Sequence, residues 1–414
     1  PNMLNLLKNF SIFHVIAISF IARIIATYFF ADENLTNEWA IIIHNYELTG
    51  VFGYYVLENN TFVTPKFAEV GDIVLPTAFM PPLYLYIILF LKKISFGILN
   101  LPFLVIISQI LISSLTIYIF YKLIRQFEDK NFSIIITLIF SLFPLNVWIV
   151  SQISSITVQI FLIVSFFFLV VRFQQTDRFK FLFFFSVVSA FLILTRGEFL
   201  LFYFLTIFYF FIFIRKKFSS ILVSLVITIL IISPYLYKNY NIFNELTLTK
   251  SFGYNLLKGN NPNFKVDGDA YFLEDQFKNI SSSIKPNNEF EIQLDDIYKD
   301  KAINYIKSDP TKYTIFYFKK VISFLFFDIR STYPNYYNIF HLLPKLILSI
   351  LTLVGCFYLI KKKGFHQYLV IYYFSNIFLF SIFFILPRYS LILLPIQILI
   401  SMTVIKKILR KFIN

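Results

Sequence analysis

A few charged residues of this chain stand where polar segments meet apolar runs, and those are the positions that could do chemistry. Glu38 opens the run Glu38-Trp39-Ala40, and the spacing of Trp39, Ile42, Ile43 and Tyr46 predicts an amphipathic helix from Glu38 to Leu48. A carboxylate on its first turn, close to a bilayer, is partly desolvated and suits proton abstraction. The competing role is only to complement the helix dipole. Arg196-Gly197-Glu198 lies between two apolar runs, where a charge is costly unless it is paired or used. Pro387-Arg388-Tyr389 sets a permanent cation between two others, and a guanidinium there suits a phosphate. Lys92 and Lys93 follow the apolar stretch that starts at Pro81-Pro82-Leu83-Tyr84; they either hold a lipid phosphate or snorkel to headgroups. Gly259-Asn260-Asn261-Pro262 reads as a tight turn whose amides also suit hydroxyl recognition. His14, His44, His341 and His366 are scattered without ligand spacing, so no histidine metal site is expected.

The elements that must position these groups are set by composition. Of 414 residues, 58% are hydrophobic and only 14% charged, which points to lipid as the main solvent. The net charge of +14 would suggest nucleic acid in a soluble protein, but here the Lys and Arg gather in short intervals at the ends of apolar runs, the pattern of cytoplasmic loops. No nucleic-acid partner is expected; membrane lipid is. The lone Cys356 excludes an intrachain disulfide. The first apolar run, 10–30, lacks a small-residue cleavage pattern and reads as a retained span.

Basic clusters at 122–130, 172–180, Arg215 to Lys217, Lys361 to Lys363 and Lys406 to Lys411 decide the topology. Spans at 10–30, 102–121, 133–150, 156–171, 181–195, 199–214, 219–237, 342–360, 368–386 and 390–405 satisfy them, with both termini cytoplasmic. The stretches 81–96 and 313–327 are interrupted by Lys92-Lys93 and Lys319-Lys320, and are expected as helices on the outer surface. The polar segments 31–82 and 238–311 hold 18 of the 23 acidic residues and fall outside. Segments of that length are functional or disordered, and their mix of aromatic and polar residues disfavours disorder. No internal repeat is visible, which counts against an inverted-repeat transporter.

Taken in order, Glu38-Trp39, Thr77-Ala78-Phe79-Met80-Pro81-Pro82-Leu83-Tyr84, Leu194-Thr195-Arg196-Gly197-Glu198, Tyr237-Lys238-Asn239-Tyr240, Gly253-Tyr254-Asn255-Leu256 with the Gly-Asn-Asn-Pro turn, and Pro387-Arg388-Tyr389 resemble the bacterial polyprenyl-phosphate-sugar-dependent glycosyltransferases. These are the glycosyltransferase family 39, dolichyl-phosphate-mannose protein mannosyltransferase-like superfamily. Met80, Leu85 and Gly197 depart from the family's usual residues at their positions.

The resemblance implies an all-α polytopic membrane protein. Its single domain, 1–414, would be a GT-C-like bundle of about ten transmembrane helices with two large external loops, 31–101 and 238–341, carrying juxtamembrane helices. It implies a first-loop carboxylate as catalytic base, with Glu38 at the matching position and Asp32 and Glu33 as competitors. Arg388, Arg196, Lys92 and Lys93 would meet the donor phosphate, while Pro82, Tyr84, Glu198, Tyr240, Asn260 and Asn261 would line the substrate cavity. The implied reaction is inverting transfer of a sugar from a polyprenyl phosphate to a glycan, lipid or protein hydroxyl on the outer face of the cell membrane. No cofactor is required, although carboxylate-bound Mg or Mn is compatible with the first loop. The alternative from another class is a transporter or flippase of lipid-linked sugars.

Overall fold

The structure is a computed structural model that describes residues 10–35, 38–58, 62–214, 218–328 and 338–413. Asn37, the basic cluster Arg215, Lys216 and Lys217, and the side chains of Arg410 and Lys411 lie outside the described residues.

Six described helices or helical stretches are long and apolar enough to cross a membrane: α1 (Ile12–Phe30), α4 (Leu101–Ile124), α7 (Ile156–Thr176), α10 (Phe218–Phe243), α15 (Ile339–Leu359), and a 3₁₀ turn, Pro387–Leu393, that leads into α17 (Leu394–Ile413). A seventh span forms if α5 (Lys130–Ser141) is joined to the segment Pro144–Ser151, which begins with α6 (Pro144–Trp148) and is bent by 63° from it. The reading of ten spans also counts α8 (Phe179–Thr195), α9 (Phe199–Ile212) and α16 (Phe365–Phe380), which are shorter at 17, 14 and 16 residues. The chain is thus an α-helical multi-pass membrane protein. Its centre is α7, which packs on α4 and α8 and has 83% of its apolar window buried within the protein.

The bend between α5 and α6 follows from Pro144, which starts α6 as its first residue and cannot donate to the preceding turn. Such a break leaves carbonyls without helical partners. Arg23, fully buried in α1, donates through Nη1 to the freed Ser141 carbonyl at 3.0 Å and through Nε to the Ser113 hydroxyl at 2.8 Å. This interior arginine is absent from the sequence reading, because a single cation within an apolar run gives no hint of its partner.

The two polar segments are folded, as their composition suggested. The first holds α2 (Glu38–Thr49), then a three-stranded antiparallel sheet in the order β2-β1-β3, and α3 (Pro82–Ile94) follows it. In the sheet, β1 (Tyr55–Glu58) pairs with both β2 (Phe62–Pro65) and β3 (Ile73–Leu75). The sheet was not foreseen, since its strands are only three or four residues long. Trp39, Ile42 and Ile43 form the buried face of α2, as their spacing predicts. The second segment holds α11 (Phe252–Gly259), α12 (Ala270–Ser281) and α13 (Phe290–Ser308), and α14 (Pro310–Leu325) follows it. The two helices expected from 81–96 and 313–327 are α3 and α14.

Candidate functional site

Glu291 joins the two polar segments. Its Oε1 accepts from the Ala78 amide at 2.7 Å and its Oε2 from the Thr77 hydroxyl, and the Lys250 amide donates to the Ala78 carbonyl at 2.8 Å. Burial pushes the Glu291 carboxyl up to about 8; the bonds from Thr77 and Ala78 pull it back, and nearby Asp295 pushes it further up. This anchor holds Phe79, Met80 and Pro81 as one wall of a cavity. Phe79 stacks on Tyr54 and meets Tyr254 edge-on, each at 5.1 Å.

Other walls come from the bundle. Thr195 to Glu198 between α8 and α9, Ser154 and Gln159 near the start of α7, and Arg388 and Tyr389 in the 3₁₀ turn all face the same cavity of about 540 Å³. Glu38 enters from the first turn of α2, and Lys258 from the last turn of α11. Charged groups from four separate chain segments therefore converge. Glu38 and Glu198 are the carboxylates among the lining residues, and Arg196, Lys258 and Arg388 the cations.

The groups differ in how firmly they are held. Arg196 lies 3.5 Å from Glu198 and is sandwiched between the Phe380 and Tyr389 rings, 4.5 Å from each centroid. Lys258 packs over Phe384 at 4.7 Å and Tyr254 at 5.8 Å. Burial lowers the proton affinity of its ammonium; Glu38 raises it and Arg388 lowers it. Lys258 thus senses both the acid and the arginine across the cavity.

A second clamp sets the far wall. Lys320 in α14 is fully buried and donates to the Gly259 carbonyl at 3.0 Å, and to Asn260 Oδ1 and the Ile382 carbonyl at 3.2 Å each. The end of α11 is thereby tied to the segment that runs on to Arg388. Gly259 makes this approach possible: a Cβ there would come within 2.4 Å of the Phe383 carbonyl carbon. The same lysine pair that argued against a span at 313–327 thus supplies a structural donor.

The structure separates the sequence-derived site residues into groups. Glu38, Arg196, Glu198 and Arg388 meet in the cavity. Asp32 faces a different hollow and accepts the Ile153 amide at 2.7 Å, while Glu33 lines neither. Lys92 and Lys93 line a third cavity, where Lys92 pairs with Glu47 at 2.5 Å. Pro82 and Tyr84 are buried behind the wall that the preceding residues form; the Tyr84 hydroxyl donates to Gln109 at 3.0 Å and its ring meets Trp39. Tyr240 is half exposed at the end of α10 and lines none of these three cavities.

Asn260 and Asn261 are buried and spend their amides on the backbone. Asn260 donates to Leu256 and Ile382 carbonyls, and Asn261 donates to Lys258 and Lys265 carbonyls and accepts the Lys265 amide. They shape the turn that presents Lys258. That lysine was passed over in the sequence, where it stands between the two motifs quoted for this segment. Among the described residues no three His, Cys, Asp or Glu side chains gather to hold a metal; the carboxylates lining the cavity are two, one of them ion-paired.

The fold of this helical bundle is also seen in solved structures. The chain is similar to the archaeal oligosaccharyltransferase AglB from Archaeoglobus fulgidus in complex with an inhibitory peptide and a dolichol-phosphate, at a TM-score of 0.55 and 10% identity over 98% of this chain and 51% of that one. It is similar to the Archaeoglobus fulgidus oligosaccharyltransferase tethered to an acceptor peptide at 0.54 and 12%, over 98% and 50%. It is also similar to that enzyme's complex with zinc and sulfate at 0.53 and 12%, over 96% and 49%. The chain spans about half the length of these proteins. The likeness establishes a GT-C glycosyltransferase-like fold. No protein-family model matches the chain, and no curated protein matches it in sequence.

Proposed function

We propose that the protein is a membrane glycosyltransferase that moves a sugar from a polyprenyl-phosphate donor to an acceptor hydroxyl, with inversion and with Glu38 as base. The observation that carries this reading is the cavity that Glu38 shares with Lys258 and Arg388, beside the ion-paired Arg196 and Glu198. Glu38 takes the proton of the acceptor hydroxyl as its oxygen bonds to the anomeric carbon. The bond from that carbon to the phosphate oxygen breaks, and its electron pair leaves with the phosphate. Arg388 and Lys258 meet the charge that builds there, in a cavity walled by Phe79, Tyr254 and Phe384. Arg196, held by Glu198 and two rings, helps to fix the wall of the cavity, its charge offset by that carboxylate. The distribution of basic loops supports a cavity on the outer face of the cell membrane and cytoplasmic termini. The donor's prenyl chain then stays in the bilayer while its sugar phosphate enters the cavity.

The test is sugar transfer in proteoliposomes supplied with labelled polyprenyl-phosphate hexoses and pentoses, comparing the native chain with Glu38→Gln, Asp32→Asn and Glu33→Gln. Donor consumption by the native protein, abolished by Glu38→Gln with donor binding intact, supports the reading. Donor that crosses the bilayer unchanged identifies a flippase instead, and loss with Asp32→Asn but not Glu38→Gln moves the base.

A further inference from the structure

Lys92 and Lys93 sit at the end of α3, in a cavity of about 890 Å³ that shares no lining residue with the Glu38 cavity. The third lysine of this hollow, Lys238, comes from α10 and lies 4.1 Å from the centroid of the Phe52 ring. Phe52 in turn stacks on Tyr46 at 4.0 Å. The one carboxylate lining the hollow, Glu47, is engaged by Lys92. Three cations against one acid leave two positive charges, set against an aromatic wall.

The lip of the hollow is apolar and open. Phe90, Phe96 and Leu99 are 62%, 85% and 49% exposed, with Ile98 beside them at 83%. Leu101, which begins the membrane-spanning α4, also lines it. The hollow therefore sits where a span leaves the bilayer, at the depth of lipid headgroups. Lysine stems lying along apolar surface with ammonium groups at that depth match a lipid-borne phosphate, with its chains running over the exposed phenylalanines.

We propose that this hollow binds the phosphate of an anionic membrane phospholipid, at a site distinct from the Glu38 cavity. The two are linked by α2, whose first residue, Glu38, lines one cavity and whose Tyr46 and Glu47 line the other. At 1.5 Å per residue, Glu38 and Glu47 are roughly 13 Å apart along the helix. An occupied headgroup site would thus brace the element that carries the proposed base.

Native mass spectrometry of the detergent-solubilised full chain tests this, counting bound phosphatidylglycerol during titration against phosphatidylcholine. Lys93→Gln, at an exposed position, and Lys238→Gln are compared with Lys299→Gln, a half-buried lysine of α13 that pairs with Asp296 and undergoes the same change of charge. Phosphatidylglycerol binding weakened about five- to tenfold in Lys93→Gln and Lys238→Gln, but unchanged in Lys299→Gln, is the expected result. Equal weakening in all three variants reflects general surface charge and overturns the site. Displacement of bound phosphatidylglycerol by inorganic phosphate alone would mean that the lipid chains contribute nothing, and displacement by polyprenyl phosphate at equal concentration would assign the hollow to the donor. Either result overturns the phospholipid assignment.

Discussion

Replacing Glu291 with Gln tests the joint that builds the cavity. In the folded protein burial pushes this carboxyl up to about 8, whereas an exposed glutamate has 4.5. Between those two values the folded chain keeps its proton while the unfolded chain has released it. The folded state then binds more protons, so stability falls as pH rises through this window and levels off above about 8. The slope approaches ~1.4 kcal/mol per pH unit, so the loss between pH 5.5 and 8 is roughly 3 kcal/mol. Glutamine cannot ionise. Its carbonyl can accept the Ala78 amide, and its amide can donate to the Thr77 hydroxyl, as a protonated acid does. Thermal and chemical unfolding of both proteins across this range, in the same detergent, gives the difference in stability at each pH. That difference should move by about 3 kcal/mol in favour of the variant from pH 5.5 to 8. Asp295, which burial also raises, is present in both proteins and cancels. Two stability curves that run parallel with pH would refute the reasoning, because Glu291 would then carry no raised proton affinity in the fold.

The other expectations concern the cavity walls. Gly259→Ala forces a methyl group into the backbone at Phe383 and Phe384, and should lower stability by about 1–3 kcal/mol in thermal unfolding, with weaker sugar transfer as the Arg388 segment shifts. Arg388→Ala and Lys258→Ala should each lower kcat for sugar transfer by about 10²–10³ if both groups meet the leaving phosphate, with smaller effects on KM; equal activity in steady-state assays would remove that role.

Much of the architecture was legible in the one-dimensional pattern. Apolar run length and the placing of Lys and Arg mark the membrane segments, because lipid tolerates neither open backbone nor free charge. The helical spacing from Trp39 to Tyr46 placed α2 and set Glu38 on its first turn. Pro387-Arg388-Tyr389 and Arg196-Gly197-Glu198 stand out because charges are rare beside apolar runs, and these were the segments that came together with Glu38.

Other assignments depended on contacts between distant parts of the chain. Asn260 and Asn261 carry the same amides whether they bind a hydroxyl or close a turn, and only the carbonyls around them show that they close a turn. Lys92 and Lys258 are both lysines near the ends of short helices. Which of them faces Glu38 is set by how α3 and α11 pack, and by the Lys320 clamp 60 residues beyond Asn260. Glu291 lies 213 residues from Ala78 and has no local pattern that reveals its partner. The sequence by itself determined which segments are apolar enough to enter a membrane and which residue types could do chemistry, since hydropathy and charge act locally. Only the tertiary structure decided which of those residues share a cavity, because that follows from the packing of elements far apart in the chain.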